Sequence, residues 1–489
     1  MANAGTASDV TFYWYDYETF GTDKKRDRPA QFGGFRTDAN FRRKSKDLLI
    51  YCSPADDYLP HPEACLLTGI TPLMCLTEGE PEAVFANKIY KEFKEPNSIV
   101  LGYNNLKFDD EVSRFMFWRN LINPYDREYG EGRARMDMFT VIKALYAFKP
   151  DTLNWPHKDN GSVSMKLEEL TKANGLVHDH AHDALSDARA TALLAKKIKD
   201  TEPKFWEYAV SLSNKENVQK LLDSQTALLV VADYSIPATK NLRLLFPILK
   251  SGKEYLCWDL TADPTELPQL KDSDLEARTN LTAEEREAGK NPLPFVSISA
   301  NKYPFIVKAS PFYRNEFEQM FSLSRTELAE RTKFLKEMDK GFVGNLYLKL
   351  SEIRRERFEG TQPKDEDVET ALYSGGFVSD QDRRVLDELR AMNEFELSEK
   401  SLTKDYQYKG MDKLIRRFIS RNYPEAMTEQ DSADWYLYKS QHLIRGANGS
   451  RTFEEYFKLL DELADRPNVN MELIEELREY GEGLQEDLQ

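Results

Sequence analysis

Val10 to Glu18 reads VTFYWYDYE, a run of β-branched and aromatic residues followed by turn-formers at Gly21 to Asp23. Such a composition predicts a strand. Side chains alternate across a strand, so Asp16 and Glu18 point to one face. Two carboxylates placed together on an otherwise apolar strand repel one another unless cations lie between them. Hard oxygen ligands of this kind suit Mg2+ or Mn2+. A solvated strand end would carry the same residues, and the pair alone does not choose between the two.

Outward from this strand, β and helical signals alternate. Glu82 to Lys94 (EAVFANKIYKEFK) has apolar residues at helical spacing, and Ser98 to Asn105 (SIVLGYNN) reads as a short buried strand. Asp109 to Leu121, Met136 to Phe148 and His182 to Asp200 read as helices; the last is amphipathic, with Ala184, Ala188, Ala192, Leu193 and Ile198 apolar. Strands covered by helices predict an α/β layer domain over residues 1–201. Past Pro203 short β-rich runs follow at Thr226 to Tyr234, Leu242 to Lys250, Glu254 to Leu260 and Phe295 to Ala309, with a polar helix-favouring insert at Asp272 to Lys290. They predict a small β domain over 202–357. From Arg314 the chain reads as helical to the end, interrupted by the loop Glu359 to Asp367, and 358–489 is expected as a separate helical domain.

At 489 residues the chain is too long for one ordinary core. No apolar run approaches the ~18 residues of a membrane span, and MANAGTASDV lacks the basic and apolar regions of a secretory signal. The four cysteines form no CxxC pair and read as reduced thiols, so a cytoplasmic protein is expected. The net charge of −16 argues at first against a nucleic-acid partner. Binding depends on local charge, however, and Lys400 to Arg421 holds seven basic residues against two acidic ones.

Two further elements carry chemistry. In GYNNLKFD (Gly102 to Asp109) an apolar strand runs through Asn residues into a helix at Asp109. Asp109 or Asp110 would cap that helix, or Asp109 would serve a metal. In HDALSD, His182 stands at a helix entry and Asp187 a turn and a half inside. A His at a loop edge leans over a metal site while a helix-borne carboxylate enters it. His178 and His180 have no thiolate near them and no zinc spacing, so they are assigned to the surface.

DxE near the start, NxxFD some ninety residues on and HxxxxD before residue 200 together form the pattern of the DEDDh exonucleases. The flanks resemble the bacterial exonuclease I family: DYETFGTDKKRDRPAQFGGFRTD, CSPADDYLPHPEACLLTGITP, GYNNLKFDDEVSRFMFWRN, LNWP, LEELTKANG and AHDALSDA, then ANKYP, ALYSGGFVSDQDRR and RNYP. The resemblance implies an α/β multidomain fold: an RNase H-like nuclease domain with a mixed sheet, a small SH3-like β-barrel and a C-terminal helical domain. It implies 3′→5′ hydrolysis of single-stranded DNA, in DNA repair and recombination, releasing nucleoside 5′-monophosphates. Two Mg2+ ions, replaceable by Mn2+, would be held by Asp16, Glu18, Asp109 and Asp187, with His182 the general base.

The same resemblance implies a monomer that partners the C-terminal tail of single-stranded-DNA-binding protein and passes its DNA between the domains. Positions matching the strand-binding residues are Glu18, Arg114, Tyr125, Tyr129, Lys143, Lys166, Tyr208, Lys215, Lys302 and Tyr373, with Leu67 packing on the terminal base. Lys166 departs from an arginine, losing a bidentate fork, and Tyr129 stands where the family carries Trp. A DEDDh RNase or proofreading subunit fits less well, because such chains stop near residue 200. An inactive clamp fits less well because all five catalytic positions are filled. A basic stripe at Lys409, Lys413, Arg416 and Arg417 reads either as a phosphate track or as a solvated face.

Overall fold

The computed structural model describes residues 10–179, 181–279, 281–361, 366–400 and 405–488, without the side chains of residue 283 and residues 357–361. His180 therefore lies outside the described residues. Two compact units form: Met1–Arg135 with Gly175–Leu194 and Asp365–Gln489, and Met136–Asn174 with Ala195–Lys364.

The site-bearing sheet has six strands: β1 (Thr11–Thr19), β2 (Pro29–Asp38), β3 (Leu48–Ser53), β4 (Glu80–Pro81), β5 (Ser98–Gly102) and β6 (Ala134–Asp137), in the order β4-β3-β2-β1-β5-β6. β1 pairs antiparallel with β2 and parallel with β5, so the sheet is mixed. Tyr13, Tyr15 and Tyr17 point into a core with Phe32, Phe85, Phe93, Met116 and Phe117, supplied by β2, α3 (Glu82–Phe93) and α4 (Asp109–Arg119). The alternation that buries these tyrosines turns Asp16 and Glu18 to the opposite face.

Several element ends differ from the sequence reading. β5 stops at Gly102, because Asn104 turns the chain with φ +64°. Met136 and Asp137 end β6, and the helix starts only at Met138 because Asp137 caps it, accepting from Phe139 N. The long helix α7 (Ala184–Thr201) starts two residues after His182, which has φ +67°. β2 and β3 escaped the reading: glycines and polar residues interrupt the first, and the second is half-exposed.

The second unit carries a five-stranded antiparallel sheet: β7 (Leu228–Val231), β8 (Leu242–Ser251), β9 (Glu254–Asp259), β10 (Phe295–Ser299) and β11 (Ile306–Lys308), in the order β10-β9-β8-β7-β11. The expected strand over 295–309 is two, separated by a turn in which Tyr303 has φ +47°. The helix Lys340–Thr361 runs into the segment read as a loop from Glu359. Among the described residues, no helix is long and apolar enough to cross a membrane.

The C-terminal helices belong to the first unit. Leu443, Phe453, Tyr456, Leu460, Leu477 and Tyr480 share a core with Phe20, Tyr58, Leu59, Cys65 and Ile70. A second core joins Phe115 and Trp118 to Leu372, Tyr408, Leu414 and Phe418.

Candidate active site

The acidic residues reach the site from three elements. Asp16 and Glu18 project from β1; Asp109 is the first residue of α4 and Asp187 lies in the first turn of α7. Neither Asp109 nor Asp110 caps α4, whose N-cap Phe108 has no side-chain cap. Asp109 turns to β1, its Oδ1 accepting from Tyr17 N at 3.3 Å. Asp110 turns inward to the Tyr15 hydroxyl (2.8 Å) and Arg127 (2.9 Å) and pairs with Arg135. Burial would raise the Asp110 carboxyl, but Arg127 and Arg135 hold it well below the carboxylate range. The ion cluster thus anchors the start of α4, where Asp109 sits.

Glu18, His182 and Asp187 offer ligand atoms that all lie within 4.8 Å of one another, a group able to hold a metal ion. The electrostatics show strong crowding. Burial first, then Asp109, Asp187 and Glu18, drive the Asp16 carboxyl far above its ordinary range. Glu18 is pushed up to about 8 by burial and by Asp187 and Asp109. Asp187 is raised by burial, which His178 and His182 partly offset. Carboxyls that resist ionisation together are relieved by a divalent cation, so the donor set fits one.

His178 is not a surface residue. Its side chain is 6% exposed, and Nε2 is hydrogen-bonded to Asp187 Oδ1. The sequence offers no sign of this, because the loop's burial depends on what packs over it. Gln31 and Asp183 were missed as well. Gln31 is 1% exposed; its Oε1 accepts from Ala184 N at 2.8 Å and its Nε2 donates to Asp183 Oδ2 at 3.0 Å. Asp183 Oδ1 in turn accepts from Ser186 N at 2.9 Å, and Asp183 O accepts from Asp187 N at 2.9 Å.

Of the expected strand-binding residues, Arg114, Tyr125 and Tyr373 form one cluster. Arg114 donates to Glu128 at 2.7 Å and to the Tyr373 hydroxyl at 3.2 Å, pairs with Glu111, and lies 5.7 Å from the Tyr125 ring centre. The Tyr373 hydroxyl donates to Glu111 at 2.6 Å. Leu67, at the end of the helix Pro62–Thr68, and Tyr129 are both exposed. In the other unit Lys143 is buried, its ammonium donating to Ala232 O (3.1 Å) and Asp233 O (3.3 Å). Tyr208 donates to Ile306 O at 2.6 Å, while Lys166, Lys215 and Lys302 are exposed.

The basic stripe does not form. Arg417 is buried, ion-paired with Asp367 and stacked 3.9 Å from the Tyr438 ring centre; Arg416 pairs with Asp431. Lys409 and Lys413 alone are exposed.

A mixed sheet with carboxylates gathered beside β1, and a helix delivering a further acid, defines a nuclease-type hydrolase. The Exonuclease family model matches residues 13–195, the Exonuclease I SH3-like domain 213–352 and the Exonuclease I C-terminal domain 366–484. Exodeoxyribonuclease I of Haemophilus influenzae is 33% identical, covering 97% of this chain and 98% of that protein; that of Escherichia coli is 35% identical, covering 90% and 91%. The chain belongs to the exodeoxyribonuclease I family. It is accordingly a hydrolytic nuclease with an SH3-like domain and a helical C-terminal domain.

Solved structures of similar proteins align over 97% of it. The moderately thermophilic exonuclease I of Methylocaldum szegediense has a TM-score of 0.87 at 32% identity, over 99% of that chain. E. coli exonuclease I with a dA16 oligonucleotide has 0.84 at 32%, over 100%, and an exonuclease I complex with SSB-Ct has 0.84 at 30%, over 99%.

Proposed function

We propose that this chain removes nucleotides processively from the 3′ end of single-stranded DNA and releases nucleoside 5′-monophosphates, in DNA repair and recombination. The observation that carries the reading is the meeting of Glu18, His182 and Asp187 within 4.8 Å, beside a β1 whose carboxyls resist ionisation. Asp16, Glu18, Asp109 and Asp187 would hold two Mg2+ ions, with Mn2+ able to replace them. When bound, the metals would lower the pKa of the attacking water and steady the leaving 3′ oxygen. His182 takes the proton of the attacking water, and Asp109 and Asp187 bring their carboxylates to the strand that carries Asp16 and Glu18.

The strand is held at Leu67, Arg114, Tyr125, Tyr129, Lys166, Tyr208, Lys215, Lys302 and Tyr373, by base stacking beside cations. Lys143, its ammonium buried against Ala232 O, braces the segment that follows β7. The enzyme acts as a monomer and partners the C-terminal tail of single-stranded-DNA-binding protein; an SSB-Ct complex of a relative at 30% identity supports the partner. End-labelled single-stranded DNA and RNA, digested with Mg2+, Mn2+ or EDTA and sized, test the reading. Mononucleotides from DNA in either metal are expected; degradation in EDTA, or internal fragments, would overturn it.

A further inference from the structure

We infer that Gln31 is a positioning residue that sets His182 and Asp187 against Glu18. In the antiparallel register Gln31 stands directly opposite Glu18, and Gly33 opposite Asp16. Directly opposed residues share a face, so β2 presents Gln31 beside the site. At Gly33 the first turn of α7 lies on the strand: a Cβ there would come 2.1 Å from Leu185 N. Two positions along, the Gln31 amide grips the residues after His182. It accepts the Ala184 N–H and donates to the Asp183 carboxylate (2.8 and 3.0 Å), with the Tyr51 hydroxyl at 3.1 Å as a further partner. An amide both donates and accepts, as a carboxylate or a thioether cannot. His182 immediately precedes these residues and has φ +67°, a backbone state that persists in a non-glycine residue only where its surroundings enforce it. Asp183 also accepts from Ser186 and Asp187 through side chain and backbone, so the same clamp orients the turn bearing Asp187.

This inference rests on His182 being the general base. A double-mutant cycle of Gln31→Met with His182→Ala on the full chain separates positioning from mere core packing. In the wild-type background Gln31→Met should lower kcat ~10–100-fold, as loss of an orienting partner does, with KM for single-stranded DNA unchanged. In the His182→Ala background it should cost clearly less, leaving only the share carried by Asp187. Hydrogen exchange at the Ala184 amide should speed up in Gln31→Met. The same loss in both backgrounds, or wild-type kcat in Gln31→Met, would overturn the inference. Should Gln31→Met fail to fold, Gln31→Glu sets two carboxylates face to face, and Gln31→Glu with Asp183→Asn restores a donor–acceptor pair. Recovery of kcat and of slow Ala184 exchange in the double variant is expected, and no recovery overturns the inference. Wild-type kcat in His182→Ala alone would instead overturn the assignment of the base.

Discussion

His178 holds Asp187: the imidazole Nε2 and carboxylate Oδ1 are hydrogen-bonded, with the imidazole almost wholly enclosed. A partner that fixes the orientation of a metal-binding carboxylate typically contributes ~10–100-fold to metal affinity or activity. His178→Ala should therefore raise the Mg2+ concentration for half-maximal activity by a factor in that range, with strand affinity kept. The sequence alone predicted near neutrality for this variant, and an unchanged Mg2+ titration would restore that reading.

The carboxylates themselves should be indispensable. Asp16→Ala or Asp187→Ala should abolish hydrolysis while single-stranded-DNA binding survives, because the residues proposed to hold the strand lie elsewhere. Residual rates above roughly a tenth of wild type in either variant would contradict the metal assignment. His182→Ala should lose ~10²–10⁴-fold in rate, the range of a general base.

Crowded carboxyls also set a pH dependence of stability. Glu18 is pushed from 4.5 to about 8, so in the metal-free protein the folded state holds its proton more tightly than the unfolded state. The stability this contributes is complete below pH 4.5 and is lost as pH rises towards about 8. In EDTA, Tm should fall across that interval; Glu18→Gln should flatten the fall, and so should saturating Mg2+. A metal-free Tm that rises steadily from pH 5 to 8 in wild type, and equally in Glu18→Gln, would contradict the electrostatic account.

Arg417 should matter for folding and not for DNA. Removing it leaves Asp367 as an uncompensated buried charge, worth about 3–5 kcal/mol of stability. Arg417→Gln should lower Tm sharply and leave the salt dependence of binding unchanged. Lys413, which is exposed, is the arm that tests phosphate contact: Lys413→Gln flattens the slope of log affinity against log salt by ~0.7 only if it touches a phosphate.

A chain cut near Thr201 should fail to fold. The nuclease core shares Phe20, Tyr58, Cys65 and Ile70 with Tyr456, Leu460 and Leu477, and Phe115 and Trp118 with Leu414 and Phe418. Removing the second set leaves a large apolar face in water. Soluble, cooperatively unfolding protein from such a fragment would show that the C-terminal helices are dispensable for the core.

Local patterns made much of this legible. The alternation of VTFYWYDYE places the tyrosines in the core and the acids opposite them, because a strand leaves no other arrangement. Helix periodicity likewise located α3, α4 and α7 to within two residues at each end. The joint spacing of Asp16, Asp109 and Asp187 is that of the family to which the chain belongs.

What the residues touch across the chain was decided only by the tertiary structure. Lys409 to Arg417 has the spacing of a helix flank, yet spacing cannot say that Asp367 waits opposite Arg417 and Asp431 opposite Arg416. His178 looked exposed because a loop histidine has no periodicity to mark its burial. Gln31 and Asp183 meet across 152 residues, and neither residue's neighbours hint at the other. Secondary structure follows from interactions a few residues apart, which a sequence displays directly. The orientation of a catalytic group follows from hydrogen bonds and ion pairs made at distance, and these exist only once the chain has closed on itself.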